Sequence, residues 1–452
     1  MQDEARRKET GVSLRAPESV QKLQTALHAK AKEMPTYRFY ALYDKLYRED
    51  VLAHAWRLAK ANGGVAGVDG QTFRDIEEYG VERWLGELAQ HLRKKTYRPQ
   101  PVRRVYIPKP DGRKRPLGIS TIRDRVAQTA AVLVLSPIFE ADLQPEQYAY
   151  RQGRSAHDAV RHIHRLLSTG YRDVVDADLA DYFGSIPHSE LMSSVARRVS
   201  DRHMLHLIKQ WIVVPVEEED GRGGTRRTAE ARHKKKGIPQ GAPISPLLSN
   251  IYMRRFVLGW KVLGHAARLD AHIVNYADDL TILCRGTADA AMNAMREMMD
   301  RLKLAVNEEK TRLCCVPESS FNFLGYTFGR CYSPKSGRAY IGTRPAKKSI
   351  AKVRRTISEL TSRCRLLVDT QLQVAELNRL LTGWGNYFCL GPVSTAYRAI
   401  DAHVVSRLRW WLCKKHKTPG RGTARFPDEH LYLKLGLKRL SLTMRDLPWA
   451  KA

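Results

Sequence analysis

Carboxylates stand beside runs of β-branched and apolar residues in the middle of the chain. Residues 173–179 alternate with period two, which predicts a strand that carries Asp178 near its end. In residues 271–284 two apolar runs meet at Asp278 and Asp279, and because Asp is favoured in tight turns, the pattern predicts a hairpin with both carboxylates at its tip. If the two strands are neighbours, their carboxylates could hold two divalent cations about 3.5–4 Å apart, the arrangement that assists in-line phosphoryl transfer.

Magnesium is the cation that best suits such side chains. Mg²⁺ prefers hard oxygen ligands, usually one or two carboxylates completed by substrate phosphates, which fits aspartate better than histidine or cysteine. On residue types alone, ordinary turn and strand-end aspartates would look the same, because a Tyr-x-Asp-Asp string by itself is a weak motif.

The charge balance indicates a polyanionic partner. The 452 residues include 77 Lys and Arg against 47 Asp and Glu, a net charge of +30, with 43% hydrophobic residues. These proportions exclude a wholly disordered basic tail and indicate a globular protein of several domains. Nucleic acid is the most plausible partner, although an anionic membrane surface also attracts basic proteins. No apolar run is long enough to span a membrane, and the polar start lacks the pattern of a signal peptide.

The seven cysteines contain no C-x-x-C pair, which argues against a zinc ribbon or a disulfide framework and favours a reducing compartment. Helical spacing of apolar residues predicts one helix before residue 35 and a second from about Phe39 to Ala61. From there to about 330 apolar helices alternate with short β-branched runs, which is an α+β pattern. Beyond about 345 the pattern is helical to about Lys415.

Eight longer strings follow one another along the chain: RPLGISTIRDRVAQ (115–128), YAYRQGRSAHDAV (148–160), VVDADLADYFGSIPH (174–188), GIPQGAPISPLLSNIYM (237–253), YADD (276–279), VNEEKTRL (306–313), FLGYTF (323–328) and LNRLLTGWGNYF (377–388). In content and order they resemble the motifs of reverse transcriptases of the group II intron type. They cover most of residues 60–415, so that joint chance occurrence is negligible.

The resemblance implies an α+β right-hand polymerase, with fingers and an antiparallel palm sheet followed by an α-helical thumb. The domains expected are a leader and N-terminal helix (1–35), fingers and palm (36–345), thumb or maturase domain X (346–415) and a short basic C-terminal nucleic-acid-binding region (416–452). Its function would be RNA-directed DNA polymerisation together with maturase activity, that is, binding the group II intron RNA to assist splicing and retrohoming. A C-terminal nuclease domain is not expected, because neither the length nor the paired cysteines are present.

The resemblance also implies roles for individual residues. Asp178, Asp278 and Asp279 would be the metal-site carboxylates for two Mg²⁺ ions, with Mn²⁺ a possible substitute, and Lys310 would protonate the leaving pyrophosphate. The nucleotide-binding set would be Lys109, Arg115, Phe183, Gln240 and Gly241. The RNA-binding set would be a helix-borne cluster of Arg344, Lys347, Lys348, Lys352, Arg354 and Arg355. A nucleic-acid-binding tail would comprise Arg407, Arg409, Lys414, Lys415 and Lys417.

Plainer interpretations stand beside several of these roles. Asp176 shares a strand face with Asp178, but only Asp178 has the family spacing to the aromatic pair that follows, so Asp176 is interpreted as structural. Phe183, expected to exclude a 2′-hydroxyl, could be a core aromatic. Lys109, Arg115 and Lys310 could be surface charges. Pro239-Gln240-Gly241 could be an ordinary turn, and the tail cations could belong to a capping helix. Ser245 is predicted to be an N-cap, with Pro246 at the first helical position.

Three positions depart from the commonest family pattern: Ser120, Gly184 and Ala242. None is an expected metal ligand, but Gly184 replaces a usual Asp and leaves a helix-start contact in doubt.

The expected partners are intron RNA, target DNA with a primer strand, and dNTPs, in the bacterial cytoplasm; monomer and dimer remain open. Alternatives are a domesticated reverse transcriptase in phage defence or repair, a splicing-only maturase and, more distantly, an RNA-templated RNA polymerase.

Overall fold

The computed structural model describes residues 15–108, 112, 114–220, 224–333 and 336–443. Within these residues no helix is long and apolar enough to cross a membrane. The α-helices, numbered here in chain order, are α1 (Glu18–Glu33), α2 (Tyr43–Leu46), α3 (Glu49–Asn62), α4 (Phe73–Tyr79), α5 (Val81–Arg93), α6 (Ile122–Glu140), α7 (Ala156–Ser168), α8 (Tyr182–Ser185), α9 (His188–Ala196), α10 (Arg202–Ile212), α11 (Glu230–Lys234), α12 (Ser245–Val262), α13 (His265–Arg268), α14 (Ala288–Arg301), α15 (Lys347–Leu360), α16 (Thr370–Tyr387), α17 (Ser394–Lys415) and α18 (Leu440–Thr443).

Within the part of the chain that the structure describes, the strands form three sheets. The strands are β1 (Val102–Pro108), β2 (Lys114–Ile119), β3 (Asp173–Asp178), β4 (Val216–Glu219), β5 (Thr225–Thr228), β6 (His272–Tyr276), β7 (Asp279–Cys284), β8 (Arg312–Cys315), β9 (Phe321–Phe323), β10 (Tyr326–Tyr332) and β11 (Ala339–Pro345). Their orders are β2-β1-β4-β5, β6-β7-β3-β8 and β11-β10-β9, and antiparallel pairing dominates. The α+β class predicted from the sequence is therefore confirmed.

The chain divides into two compact units. The first contains the described residues up to Arg154 together with Asp178–His265 and Asn293–Glu308, and the second contains Ser155–Ala177, Ala266–Met292 and the described residues from Glu309 onward. Each unit therefore contains several separate stretches of the chain. The single predicted helix over Phe39–Ala61 is two helices, α2 and α3, separated by Tyr47 and Arg48.

Helix α6 lies in the core of the first unit. Val126, Ala130 and Val134 on this helix are fully buried. The helix begins after Thr121, whose hydroxyl accepts a hydrogen bond from the backbone N–H of Asp124 at 3.1 Å, so that an otherwise unpaired N–H at the helix start is satisfied. The Asp124 carboxyl is itself buried and accepts from the Tyr97 hydroxyl; burial raises its pKa.

A buried arginine joins the N-terminal segment to the rest of the first unit. The Arg198 side chain is 3% exposed and donates to the carbonyls of Met34 (2.9 Å) and Pro35 (2.6 Å). It also forms an ion pair with Asp142 at 3.1 Å. A charge that is buried must be paired and hydrogen-bonded; Arg198 has the ion pair and the hydrogen bonds to carbonyls, whereas its buried Nε makes no hydrogen bond.

The helices after β11 share one hydrophobic core in the second unit. Residues of α15, α16 and α17, such as Ile357, Leu377 and Trp411, are fully buried in one cluster. The same cluster includes Phe426 and Leu440, which lie beyond the domain boundary predicted at 415/416. The chain after α17 is therefore packed onto the helical core as far as α18, because its apolar side chains complete that core.

Asp401 joins this C-terminal segment to α17. It is 6% exposed, and its two carboxylate oxygens accept the backbone N–H groups of Leu440 and Ser441, each at 2.9 Å. A buried carboxylate that satisfies two backbone donors at a helix start is a strong local constraint.

Replacement of Asp401 by Ala should loosen the C-terminal segment. We expect its local stability to fall by about 1–2 kcal/mol, because one buried and one partly buried N–H group lose their acceptors. Amide hydrogen exchange of residues 426–443 would measure the change. Asp428→Ala is the control, since that side chain is 61% exposed in its pair with Arg409 and should cost less; equal loss of protection in both variants would contradict the assignment.

Candidate functional site

The end of β3 holds Asp178 in a defined position. Asp178 is the last residue of the strand and is half-buried. Its backbone carbonyl accepts from Asn307 N at 2.8 Å, and its Oδ2 accepts from Asn307 Nδ2 at 3.0 Å. A further backbone bond, from Ala180 N to the Ala305 carbonyl at 2.8 Å, continues this pairing. The carboxylate is thus oriented by a neighbouring backbone segment and by one side-chain amide.

Asn307 is the functional candidate that sequence reasoning missed. It lies within the VNEEKTRL string, in which only Lys310 was assigned a role. The available signal was the string itself, but nothing in the spacing indicates which of its polar residues faces β3. Partners that orient a metal ligand commonly affect activity as the ligands themselves do.

The strands β6 and β7 form the predicted hairpin, with one correction at its tip. Tyr276 pairs with Asp279, so that Ala277 and Asp278 alone form the turn. Ala277 has a left-handed φ of 58°, and the Asn275 side chain, 1% exposed, donates to the Ala277 carbonyl at 2.9 Å. Asp278 therefore stands in the turn while Asp279 begins β7, because a two-residue turn leaves no room for both at the tip.

Strand β3 also carries Asp176, which has a charged partner on a neighbouring strand. Strand β3 lies between β7 and β8 in the four-stranded sheet. On β8, Arg312 is paired across from Asp176, and its Nε lies 3.2 Å from Asp176 Oδ2. This ion pair supports the structural interpretation of Asp176.

The aspartates suit a divalent cation whose remaining ligands come from the substrate. Among the described residues, no group of three or more His, Cys, Asp or Glu side chains is arranged to hold a metal. Mg²⁺, however, is usually bound by one or two carboxylates and by substrate phosphates rather than by an all-protein cage. Asp178 and Asp278 are both partly exposed to solvent, as ligands completed by a substrate must be.

The Pro-Gln-Gly segment joins two parts of the predicted nucleotide site within the first unit. The Ile238 N–H donates to the Phe183 carbonyl at 2.8 Å, and the Gly118 N–H donates to the Gln240 carbonyl at 2.7 Å. The segment is thereby bonded to α8 on one side and to β2 on the other.

Gly241 is required by this close approach. Its φ is +105°, and a Cβ there would lie 2.7 Å from the Gly118 carbonyl oxygen and 2.8 Å from Leu117 Cδ1. Only glycine combines that backbone conformation with that lack of space.

The two aromatic residues after β3 have different environments. Tyr182 is 3% exposed, and its hydroxyl donates to the Ser249 carbonyl at 2.7 Å. Phe183 is only half-buried, with its ring in an edge-to-face contact with Tyr182. Tyr182 is therefore the aromatic residue that packs in the core. That Phe183 excludes a 2′-hydroxyl stays a prediction.

Ser245 is not the N-cap of α12, contrary to the sequence prediction. The N-cap position is Ile244, Ser245 is the first helical residue, and no side chain caps this end. The Ser245 hydroxyl instead donates to the Pro239 carbonyl at 2.7 Å. The hydroxyl is therefore used to bond a loop carbonyl and not to cap the helix.

The predicted phosphate-binding cations differ in their surroundings. Arg115 is exposed on β2, and Lys109 lies outside the described residues. Lys310 is exposed and precedes β8. Arg125, whose position in the RPLGISTIRDRVAQ string also suggested a phosphate contact, donates to the carbonyls of Ser120 and Gly63.

A tyrosine of the thumb-like helices contacts the β9–β10 turn in the second unit. The Tyr387 hydroxyl donates to the Leu324 carbonyl at 2.9 Å. Burial raises the pKa of Tyr387 to about 12, and the charge of Asp279 adds to the shift. Tyr387 therefore remains a neutral hydrogen-bond donor at physiological pH.

The cations predicted to bind RNA lie on a strand and a helix. All six are exposed, but Arg344 belongs to β11 and the other five to α15, so the cluster is not entirely helix-borne. Arg344 also donates to the Arg330 carbonyl at 3.1 Å. The other members are Lys347, Lys348, Lys352, Arg354 and Arg355.

Three of the five predicted tail cations form internal contacts. Arg407 donates to Thr361 Oγ1 at 3.1 Å and to carbonyls at the end of α15. Arg409 donates to the Phe426 carbonyl at 2.9 Å, and Lys415 donates to the Val368 carbonyl at 2.8 Å. These contacts favour the capping interpretation, because they satisfy carbonyls left open at helix and loop ends.

The remaining two tail cations, Lys414 and Lys417, are exposed. The five residues also belong mostly to α17, which ends at Lys415, and not to a separate tail.

Two stretches of the chain match known protein families. Residues 107–328 match Reverse transcriptase (RNA-dependent DNA polymerase), and residues 350–426 match Group II intron, maturase-specific domain. The first stretch contains the three aspartates, and the second contains most of the helical core after β11.

Curated relatives share parts or most of the chain. Protein YkfC of Escherichia coli (strain K12) is 32% identical over 369 residues, covering 73% of this chain and 93% of that protein. Group II intron-encoded protein LtrA of Lactococcus lactis subsp. cremoris is 32% identical over 230 residues, covering 50% and 36%. The Putative COX1/OXI3 intron 1 protein of Saccharomyces cerevisiae is 25% identical over 329 residues, covering 61% and 38%. The chain thus spans little more than a third of the length of the last two relatives.

A solved chain of a partial Cas6-RT-Cas1--Cas2 complex is 22% identical, with a TM-score of 0.33, and covers 60% of this chain and 43% of that chain. A likeness at this level carries no argument.

Replacement of Asn307 by Ala tests its role in orienting Asp178. We expect primer extension on an RNA template to slow by about tenfold to a hundredfold and to require more Mg²⁺, because the carboxylate loses a donor that orients it. Titration of the rate against Mg²⁺ measures both effects. Glu309→Gln, an exposed change two residues away, should leave the titration unaltered. An unchanged Mg²⁺ midpoint in the Asn307 variant would refute this role.

Proposed function

The chain belongs to the family of group II intron reverse transcriptases that carry a maturase domain, and from this premise we propose that it copies intron RNA into DNA and binds that RNA to assist splicing. The observation that carries the proposal is the pair of family matches. Residues 107–328, which contain the three aspartates, match the reverse transcriptase family, and residues 350–426 match the maturase-specific domain. The reaction is nucleotidyl transfer from a dNTP to a primer.

Divalent metal ions are a general requirement of reverse transcriptases, and we propose a pair of Mg²⁺ ions, which Mn²⁺ could replace. Asp178 and Asp278 would hold them, and Asp279 would position the metal and the primer end. Bound there, the ions would stabilise the attacking 3′-oxygen and the leaving pyrophosphate. The chain contributes carboxylates that are already oriented, one by the Asn307 amide and the other by the two-residue turn.

The nucleotide would be held by residues of the first unit. Arg115, exposed on β2, would contact the triphosphate, because a guanidinium suits bidentate phosphate contact. Phe183 would lie beneath the sugar and exclude a 2′-hydroxyl. The lack of a side chain at Gly241 would allow backbone approach to the base pair, beside the Gln240 amide.

Two lysines would bind the triphosphate and protonate the leaving pyrophosphate. Lys109 would share the triphosphate with Arg115. Lys310, exposed before β8, would give a proton to the pyrophosphate as the bond between the α-phosphorus and the bridging oxygen breaks.

Replacement of Asp278 by Ala should abolish RNA-templated DNA synthesis while leaving RNA binding intact. We expect a loss of more than about a hundredfold, because even residues that only orient a metal ligand cost about tenfold to a hundredfold when removed. Primer extension with dNTPs and Mg²⁺ measures it, and a filter-binding assay on structured RNA is the control for folding. If the wild-type protein makes no Mg²⁺-dependent DNA product, the polymerase assignment fails and a splicing-only maturase is favoured.

The maturase role is supported by a continuous basic stretch. Residues 319–358 contain nine Lys and Arg and no Asp or Glu. In the described part of this stretch, Arg330 and Arg344 are exposed on β10 and β11, followed by Lys347, Lys348 and Lys352 on α15. RNA duplexes are contacted mainly through phosphates and 2′-hydroxyls, which require charge without fixed base partners.

Replacement of Lys347, Lys348 and Lys352 by Gln should weaken RNA binding and its dependence on salt. Each phosphate contact that is lost lowers the slope of log K against log salt by about 0.7–0.9, so the slope should fall by about 2–3. Equilibrium binding of intron RNA between 50 and 500 mM salt would measure it.

The control variant loses the same three positive charges on a different helix. Lys22, Lys30 and Lys32 are exposed on α1, and their replacement by Gln should leave most of the slope intact. Equal losses in the two triple variants would show that net charge, and not the α15 surface, determines RNA binding.

A further inference from the structure

Glycine is required at position 184 because a side chain would have no room there, and not because of its backbone conformation. The φ of Gly184 lies outside the left-handed region, so other residues could adopt this backbone. A Cβ built at Gly184, however, would lie 2.6 Å from Asp181 Cγ and 2.8 Å from its Oδ1. The Asp181 carboxylate therefore occupies the volume that a side chain at 184 would need.

The backbone brings this carboxylate over the start of α8. Asp181 has φ 44° and ψ 53°, a left-handed conformation that Asp adopts more readily than most residues. Its carbonyl accepts from the Ser185 N–H at 2.9 Å. No side-chain capping bond is present at this helix start, so capping of α8 does not explain why a carboxylate stands there.

The carboxylate faces the Pro-Gln-Gly segment. Asp181 Oδ1 lies 3.4 Å from Gln240 Nε2, a long hydrogen bond of the kind that commonly tightens when substrate binds. The backbone of the segment is already bonded to Phe183 and Gly118. These backbone bonds fix where Gln240 stands, whereas the contact with Asp181 directs its side-chain amide.

We propose that Asp181 is a positioning residue that orients the Gln240 amide in the nucleotide pocket, an inference that rests on the proposed polymerase function. Gly184 leaves room at the start of α8, and the Asp181 carboxylate fills it. Here the carboxylate reaches the same volume from three residues earlier. Gly184 is then the partner of Asp181, because a larger residue would displace the carboxylate.

A swap of the two residues tests the proposal. Asp181→Gly removes the carboxylate without backbone strain, since glycine tolerates the left-handed conformation. We expect the KM for dNTP to rise about fivefold to tenfold with kcat nearly unchanged, the loss expected for one ordinary hydrogen bond at a solvent-exposed position. Adding Gly184→Asp, which returns a carboxylate to the same volume, should restore most of the affinity. In a Gln240→Ala background, Asp181→Gly should have no further effect.

Asp270→Gly is the matched control, because Asp270 is also an exposed aspartate with a left-handed φ of 42°. Its replacement should leave the KM unchanged.

Equilibrium binding of dNTP to a complex with a dideoxy-terminated primer gives a second measurement that does not require catalysis. Failure of the polymerase function would appear as absent synthesis by the wild-type protein. The positioning role is wrong if Asp181→Gly keeps wild-type dNTP affinity in this assay, if the swap does not restore it, or if the effects of Asp181→Gly and Gln240→Ala are additive.

Discussion

The hydrogen bonds of the Pro-Gln-Gly segment are the constraint on which the predicted nucleotide site depends. The segment bonds to Phe183 through Ile238 N and to Gly118 through the Gln240 carbonyl. Buried backbone groups must be paired, so a loop that enters the core is fixed wherever it finds partners. These bonds set the spacing between β2, which carries Arg115, and the start of α8. A glycine at position 241 is the condition for that spacing, since any Cβ there would meet β2.

The large positive charge is divided between internal structure and surface. Arg198, Arg407 and Lys415 donate to backbone carbonyls inside the protein. Such cations contribute to the net charge without being available to a nucleic acid. The acid-free stretch from 319 to 358 is different, because its cations on α15 stand at the surface. Net charge therefore indicates the class of partner, whereas burial and hydrogen bonding indicate which residues could contact it.

Local patterns were sufficient for the strands and the turn that carry the aspartates. Period-two alternation predicted β3, and turn propensity predicted the β6–β7 hairpin, although the two-residue turn placed Asp279 in β7. Predictions that depended on a distant partner were less secure. Ser245 has an N-cap residue type but bonds to Pro239, and Asn307 could not be recognised because its partner lies at the end of β3. The roles of the individual site residues remain predictions.

The sequence by itself determined the class of fold and the family, and it predicted a metal-binding role for three aspartates, because ordered motifs and short-range periodicity are written in adjacent residues. The tertiary structure decided which polar groups meet. It brought the Asn307 amide into hydrogen-bonding distance of Asp178 and the Asp181 carboxylate close to Gly184. It also brought Arg407 to the carbonyls at the end of α15. Each of these contacts joins backbone positions whose approach depends on the packing of whole elements. The physical reason is that a side chain bonds to whatever unsatisfied group packing brings within reach, which residue type alone does not specify.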